Sequence, residues 1–228
     1  MHRRSILALP GAFAAAPVLA QAPEVDTLLV LAVDASGSID ADEFRLQREG
    51  YAEALSHPSV LSAIASRPHQ AIAVAMVEWG SPGGAETVVD FMRLSDAASA
   101  RALVQAVLAA PRSRQSWNAI GDAIDHCARM LLAAPFRAAE RVIDLSGDGP
   151  DLRSLRPATT ARDDAVAGGL QINALAVAAA GQVTRYGEPL AETYRREVIG
   201  GRGAFVMTAE DRRDIARALR AKLIREIA

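Results

Sequence analysis

The chain has 228 residues, half of them hydrophobic and only 4% aromatic, so aliphatic side chains must build its core. Its 25 basic and 27 acidic residues leave a formal net charge of −2 without a basic block, so we expect no nucleic-acid partner. Cys127 is the only cysteine, which excludes an intrachain disulfide, and its place in an apolar helical stripe predicts a core residue.

The first twenty residues have the pattern of an export signal. Arg3 and Arg4 precede a short alanine-rich apolar stretch that ends in a loose small-x-small cleavage pattern at Ala20. The arginine pair also fits a twin-arginine signal, and prolines within the stretch argue against a permanent membrane helix. We predict a signal peptide over 1–20 and a periplasmic or secreted domain over 21–228 with no transmembrane segment.

Apolar runs alternate with helical patterns along the remaining chain, which predicts a mostly parallel sheet with helices on both faces. Strands are predicted over residues 27–33, 71–79, 87–91, 141–145, 170–177 and 204–207. Helices are predicted over residues 40–55, 59–65, 95–109 and 118–132, with Asp40 and Ser95 as caps of the first and third. Three more are predicted: one after Pro157 that ends near Gly168, one after Glu188 that ends at about Val198, and one over 215–227. A Ser-Pro-Gly-Gly turn at 81–84 predicts a hairpin, and hence an antiparallel edge strand. The predicted fold is therefore α/β: a doubly wound, six-stranded sheet.

The end of the first predicted strand is the most informative segment. An apolar run stops at Asp34, and Ser36 and Ser38 follow at alternating positions with Gly37 between them. Closely spaced carboxylate and hydroxyl oxygens after a buried strand suit Mg²⁺, which takes few protein oxygens and keeps several waters. A strand followed by a Ser/Gly turn with an aspartate cap is the alternative interpretation.

Asp148 is predicted to lie near Asp34. It follows the fourth predicted strand, and in a sheet of order 3-2-1-4-5-6 the first and fourth strands are neighbours that end on the same side. Two carboxylates brought close without a cation repel each other or take up a proton, and a divalent cation removes that cost. Asp144 lies inside the fourth strand, where a buried carboxylate needs a partner, so we interpret it as structural.

These segments resemble, in chain order, the three loops of the metal-ion-dependent adhesion site of von Willebrand factor A domains. The family's first loop reads Asp-x-Ser-x-Ser, its second supplies a Thr three residues before a Gly, and its third supplies an Asp followed by Gly. The ligand set that the resemblance implies is Asp34, Ser36, Ser38, Asn118 and Asp148, with Asn118 at the position of the Thr. Further motifs are similar to those of exported bacterial A-like domains with no assigned function: Glu78-Trp79, Ser146 to Pro150, Ile172-Asn173 and Gly200-Gly201-x-Gly203.

The resemblance, which covers roughly residues 26–228, implies a Rossmann-like fold and a protein-recognition module rather than an enzyme. Ser36 and Ser38 would bind the metal directly, while the two aspartates would bind directly or through water. Mg²⁺ is the expected ion, with Mn²⁺ or Ca²⁺ as alternatives, and an open position would take an Asp or Glu carboxylate of a partner protein. The longer side chain of Asn118 leaves room for an intervening water.

The residues leave a hydrolase open as an alternative function and reject an EF-hand. They also leave two interpretations of one glycine-rich turn. A Mg²⁺-dependent phosphatase-like hydrolase would use Asp34 as nucleophile. The second Asp of such enzymes, their acid/base, is Ser36 here, and their phosphate-binding lysine is hard to supply because Lys222 is the only lysine. An EF-hand loop is rejected because Ile39 and Arg45 replace the required Gly and Glu. The turn at 200–203 either binds an anion through backbone N–H groups or is simply tight.

Four further residues lie near the predicted ligands: Glu78, Trp79, Asp122 and Asp125. Glu78 and Trp79, which close the second predicted strand, either line the same rim or pack in the interior. Asp122 and Asp125 are predicted to lie on a solvated face of the helix that follows Asn118.

Overall fold

The computed structural model describes residues 21–210 and 214–228, so the predicted signal peptide lies outside the described residues. One sheet contains β1 (Thr27–Asp34), β2 (Ile72–Trp79), β3 (Glu86–Leu94), β4 (Glu140–Gly147), β5 (Gln171–Val177) and β6 (Val206–Ala209). Its strand order is β3-β2-β1-β4-β5-β6, with β3 antiparallel to β2 and all other pairs parallel. The predicted doubly wound fold with one antiparallel edge strand is confirmed.

Helices cover both faces of this sheet. They are α1 (Ala41–Ser56), α2 (Pro58–Ala65), α3 (Ala97–Ala109), α4 (Ile120–Leu132), α5 (Ala158–Ala167), α6 (Leu190–Glu197) and α7 (Ile215–Ile227). One apolar cluster joins the sheet to α4, α5 and α6 and contains the buried Cys127; the other joins it to α1, α2, α3 and α7. Burial on both faces explains why the inner strands read as continuous apolar runs. Within the described residues, no helix is both long enough and apolar enough to cross a membrane.

The register of the central strands brings their last residues together. All eight residues of β1 are buried, and β1 pairs in parallel with both β2 and β4. Asp34 lies opposite Trp79, and Val33 lies opposite Ser146. The carboxyl end of the sheet, where β1, β2 and β4 finish, therefore carries Asp34 next to the loop that begins at Asp148.

The helix caps agree with the sequence at α1 and differ by one residue at α3. Asp40 accepts a hydrogen bond from the backbone N–H of Glu43 at 2.8 Å, and the Glu43 carboxylate reaches back to the N–H of Asp40. At α3 the prediction of Ser95 was wrong: Asp96 is the cap and accepts from the backbone N–H groups of two residues. The Ser99 hydroxyl accepts in return from the Asp96 N–H, so the reciprocal capping box forms around Asp96, one residue later than predicted.

Candidate metal centre

Four of the five predicted ligands form one contiguous cluster at the carboxyl end of the sheet. The Ser36 N–H donates to Asp34 Oδ1 at 2.8 Å, and the hydroxyls of Ser36 and Ser38 lie 3.0 Å apart. Ser38 then donates to Asp148 Oδ2 at 3.1 Å, and the Asp148 N–H donates to Asp34 Oδ2 at 3.4 Å. Side chains from two loops, 110 residues apart in the chain, thus meet as oxygen atoms around one point.

The two carboxylates of this cluster have different surroundings. Asp34 is only 1% exposed, whereas Ser38 is exposed and Asp148 is half-buried, so the cluster opens to solvent on one side. Burial, followed by the nearby Asp148 carboxylate, raises the pKa of Asp34 from 3.8 to about 7. At neutral pH the cluster therefore accepts either a proton or another positive charge.

Asn118 lies against the third loop, beside this cluster. A Cβ placed on Gly149 would clash with Asn118 Nδ2, so any other residue at position 149 would displace the Asn118 amide from this position. The Asn118 carbonyl accepts from the N–H of Leu152 at 2.6 Å, which holds the second and third loops together. The Oδ1 atom of Asn118 is buried and has no hydrogen-bond partner among the described residues. An orphaned buried oxygen of this kind suits a hard cation.

The first loop is held from two sides by side chains that the sequence analysis did not single out. Gln47, on α1, donates to the Asp34 carbonyl at 3.1 Å. Arg112 donates to the Ile39 carbonyl at 2.7 Å and more weakly to two carbonyls earlier in the loop. Local sequence patterns give no signal for these contacts, because they join residues 13 and 73 positions apart.

The second loop is anchored by a buried ion pair. Glu78 forms a 2.5 Å contact with Arg48 of α1 and accepts from the Ser113 N–H at 2.6 Å. Glu78 and Trp79 are both fully buried, so of the two interpretations left open by the sequence the structure shows packing. Through the Ser113 N–H, Glu78 fixes where the segment between α3 and Asn118 passes the end of β2.

The third loop depends on a close fit around Gly147. A Cβ at position 147 would lie 2.6 Å from the hydroxyl of Tyr194 and 3.0 Å from the Trp79 ring. Tyr194 donates to the Gly149 carbonyl at 2.9 Å. Burial, followed by the charges of Asp34 and Asp148, raises the pKa of Tyr194 well above its usual value, so the hydroxyl keeps the proton that it donates. These contacts set the direction in which Asp148 leaves β4.

Two aspartates near the cluster accept hydrogen bonds from backbone N–H groups. Asp151 accepts from the N–H of Ile120 at 2.8 Å and from that of Ala158 at 3.2 Å, so one carboxylate caps both α4 and α5. The prediction for Asp122 was wrong: it is only 7% exposed and accepts from the N–H of Gly83 at 2.9 Å. Asp122 is buried because it accepts hydrogen bonds from N–H groups of loops that cover this face of the helix. The helical pattern alone placed it toward solvent.

The donor set at the cluster suits a hard cation better than a soft one. Two carboxylates, two hydroxyls and one amide supply only oxygen atoms. Across residues 21–210 and 214–228, no group of three or more His, Cys, Asp or Glu side chains lies close enough together to hold a metal. A metal here must therefore rely on serine and amide oxygens and on water, as Mg²⁺ commonly does.

Solved structures with this fold include metal-binding and adhesive proteins. Proximal thread matrix protein 1 from the mussel byssus, in a form with a zinc-occupied MIDAS motif, has a TM-score of 0.66 at 13% identity, over 91% of this chain and 49% of that one. The von Willebrand factor type A structure from Catenulispora acidiphila has a TM-score of 0.62 at 20% identity, over 89% and 43%. The pilus adhesin SpaC from Lactobacillus rhamnosus GG has a TM-score of 0.65 at 15% identity, over 89% of this chain and 30% of that one. The chain thus spans less than half of each of these proteins.

The sequence also matches one described family over almost its full length. No curated protein matches the chain. The family described as "Protein of unknown function (DUF1194)" matches residues 24–228. The sheet order, the helices on both faces and the structural neighbours give the chain a von Willebrand factor A fold. The chain therefore belongs to the DUF1194 family of proteins of unknown function, with a von Willebrand factor A-like fold.

Proposed function

We propose that this protein binds a divalent cation at the carboxyl end of the sheet and uses it to recognise another protein. The observation that carries the proposal is the carboxylate pair of Asp34 and Asp148, joined through the hydroxyls of Ser36 and Ser38. Among the described residues, no lysine, arginine or histidine forms an ion pair with the buried Asp34. A divalent cation supplies the positive charge that the side chains around Asp34 do not.

The residues proposed to hold the ion are Asp34, Ser36, Ser38, Asn118 and Asp148. The ion is Mg²⁺ in the first instance, with Mn²⁺ or Ca²⁺ as alternatives that use the same oxygen donors. When bound, the ion supplies a Lewis-acidic position for a carboxylate oxygen of a partner. The chain itself contributes the preformed loops, which Arg112, Tyr194 and the Arg48–Glu78 pair hold in place before any ion arrives.

The surface beside the cluster supports recognition of an acidic protein segment. Trp117, next to Asn118 in sequence, is 47% exposed, and the Arg153 guanidinium carbon lies 4.8 Å from its ring centroid. Leu155 is 74% exposed on the following loop. An exposed aromatic ring with an arginine over it is typical of residues that dominate binding energy at interfaces. The proposed partner is a protein that presents an Asp or Glu carboxylate.

The position of the only lysine favours recognition over catalysis. Lys222 is fully buried in the interior, where it forms ion pairs with Asp144 and Glu226. It is therefore committed elsewhere and does not supply the phosphate-binding cation that a hydrolase with Asp34 as nucleophile needs. We propose a non-catalytic module that is exported through a signal peptide over 1–20 to the periplasm or the cell exterior.

Titration of Mg²⁺ into the metal-free protein tests the metal site. Calorimetry should detect binding by the wild type and a loss of at least about a hundredfold in affinity for Asp148→Asn, because a charged ligand is removed. Asn118→Ala should cost less, about tenfold, because a water can replace an amide oxygen. Asp90→Asn, an exposed aspartate on β3, is the matched control and should bind as the wild type does.

The outcome that contradicts the metal site is equally clear. If Mg²⁺, Mn²⁺ and Ca²⁺ all give neither heat nor a thermal shift, or if Asp148→Asn binds like the wild type, the proposal is wrong.

Recognition is tested separately with Trp117→Ala. This variant should keep its Mg²⁺ affinity and lose capture of the partner from an extract of the source cells, whereas the wild type should lose capture only when a chelator is added. Capture that persists in chelator would show that the partner does not use the ion.

A further inference from the structure

A cavity of about 760 Å³ lies at the amino end of the sheet, opposite the candidate metal centre. It is formed where β4 and β5 begin, between the last turn of α7 and the turn at residues 201–203. Its charged lining residues are Arg67, Glu140, Arg141, Arg202, Arg225 and Glu226. The cavity is within the size range of small-molecule sites, and none of the roles assigned above uses it.

The two carboxylates in this cavity already have partners. Glu140 accepts from Arg67 at 2.7 Å and from the Thr27 hydroxyl at 2.9 Å. Glu226 accepts from Lys222 at 2.6 Å and from Asn173 at 2.9 Å, both in the buried interior. Neither acid is therefore directed at the remaining arginines.

Three arginines of the cavity have no acidic partner. Among the described residues, no salt bridge joins Arg141, Arg202 or Arg225 to a carboxylate, whereas Arg67 pairs with Glu140. The Nε atom of Arg141 is buried and lacks a hydrogen-bond partner in the same part of the chain. A buried donor without an acceptor is costly, so the protein itself does not satisfy all the N–H groups of Arg141.

Packing defines the side-chain position of Arg225 and the backbone position of Arg202. The Arg225 guanidinium carbon lies 3.9 Å from the centroid of the Phe205 ring, a stacking that leaves its N–H edges free to donate. Arg202 is carried by a turn whose flanking residues, Gly201 and Gly203, have φ angles of +93° and +80°. A Cβ on Gly201 would lie 2.8 Å from the Leu170 carbonyl, so the turn is pressed against the start of β5 and presents Arg202 at the cavity.

We propose that this cavity binds a small molecule with two or more negative charges on phosphate or carboxylate groups, held by Arg141, Arg202 and Arg225. Guanidinium groups match the geometry of both oxyanions through paired N–H donors. Val142 and Leu170 also line the cavity and accommodate an apolar part of the ligand. The site lies apart from the metal centre, because it uses the first residues of β4, whose opposite end leads to Asp148.

Two probes identify the anion chemistry: pyrophosphate for phosphate and citrate for carboxylate. Each is titrated into the wild-type protein in metal-free buffer at constant ionic strength, so that neither the candidate metal centre nor screening contributes to the signal. We expect at least one probe to bind with a dissociation constant of about 1 mM or tighter. Pyrophosphate alone indicates a phosphorylated ligand, and citrate alone indicates a polycarboxylate.

Single substitutions locate the binding. Arg202→Gln changes an exposed side chain on the turn and should weaken the probe about tenfold, as should Arg225→Gln. Arg101→Gln, an exposed arginine on α3, is the matched control and should bind the probe unchanged. Failure of both probes to bind overturns the proposal, and so does binding that Arg202→Gln and Arg225→Gln leave unchanged. Metal binding by the same protein is measured independently, so failure of one site does not imply failure of the other.

Discussion

Strand β4 contains Asp144 and leads directly into Asp148. Each of these aspartates lies near a second carboxylate, but the surroundings of the two pairs differ. Midway along the strand, Asp144 lies near Glu226, and Lys222 forms ion pairs with both. At the end of the strand, Asp148 lies beside Asp34, with serine hydroxyls and backbone N–H groups around them. The interior pair has its cation supplied by the sequence, whereas the buried Asp34 of the other pair forms no ion pair with a basic side chain among the described residues. The first arrangement is structural, and the second is suited to a cation from solution.

Both pairs show the electrostatic cost of gathering carboxylates. Burial, followed by the charge of Asp144, raises the pKa of Glu226 to about 8, even though Lys222 lies 2.6 Å away. Burial, followed by the charge of Asp148, raises the pKa of Asp34 to about 7. One lysine therefore does not fully offset the burial of two acids, and the protonated form of Glu226 is more favoured than it is in water.

Removal of the internal cation should have the largest effect. Lys222→Met leaves Asp144 and Glu226 buried without a positive charge, and breaking a buried ion pair in this way costs about 3–5 kcal/mol of unfolding free energy. Denaturant unfolding of the variant and the wild type measures the loss. Arg220→Met, a half-buried residue on the same helix, is the control and should cost less than about 1 kcal/mol.

A second substitution separates charge from packing. Adding Asp144→Asn to Lys222→Met removes a buried carboxylate that has lost its cation. The double variant should therefore recover part of the unfolding free energy lost in Lys222→Met. If the double variant is no more stable than Lys222→Met alone, the lysine contributes through packing and the contrast between the two pairs fails.

At the carboxyl end of the sheet, removal of a carboxylate should stabilise the metal-free protein, whereas removal of Lys222 should destabilise it. Without metal at pH 8, Asp34→Asn should raise the unfolding free energy by about 1 kcal/mol or more, because it removes a buried acid whose charged form is disfavoured. With Mg²⁺ at a hundred times its dissociation constant, the wild type should gain about 2.7 kcal/mol and the variant nothing. Unfolding curves with and without the ion test both halves, and equal gains in the two proteins would remove Asp34 from the site.

The smallest effect concerns pH. Because the folded-state pKa of Asp34 is raised from 3.8 to about 7, its contribution to the stability of the metal-free protein is greatest below pH 3.8 and is lost as the pH rises through 7. Metal needs the deprotonated carboxylate, so Mg²⁺ affinity should rise about tenfold per pH unit below pH 7 and level off above it. Calorimetry at pH 5.5, 6.5 and 8 checks the slope, and a constant affinity would contradict it.

Much of this architecture could be predicted from the sequence because it depends on local patterns. The continuous apolar runs indicated buried parallel strands, and the Ser-Pro-Gly-Gly turn indicated the antiparallel edge strand. Asp34 follows an apolar run directly, and Asp148 follows Ser146-Gly147 at the end of the fourth strand, so the sheet topology was enough to bring them together. Whether they hold a metal stays a prediction, because geometry does not measure affinity.

The side chains that position the site were not predictable in the same way. Lys222 meets Asp144 from a helix 78 positions later in the chain, and periodicity shows which face of that helix is apolar without showing what it contacts. Asp151 serves the first residues of two helices, neither of which has a side-chain cap at its own N-terminus. Contacts of this kind become visible only once the helices are placed on the sheet.

The fit around Gly147 links a buried glycine to the position of the third loop. The Tyr194 hydroxyl and the Trp79 ring lie where a Cβ would be, so even a methyl group at position 147 displaces at least one of them. Because Tyr194 donates to the Gly149 carbonyl, its displacement would shift the backbone that follows Asp148. The space beside one glycine therefore helps to decide where a carboxylate of the candidate metal centre points.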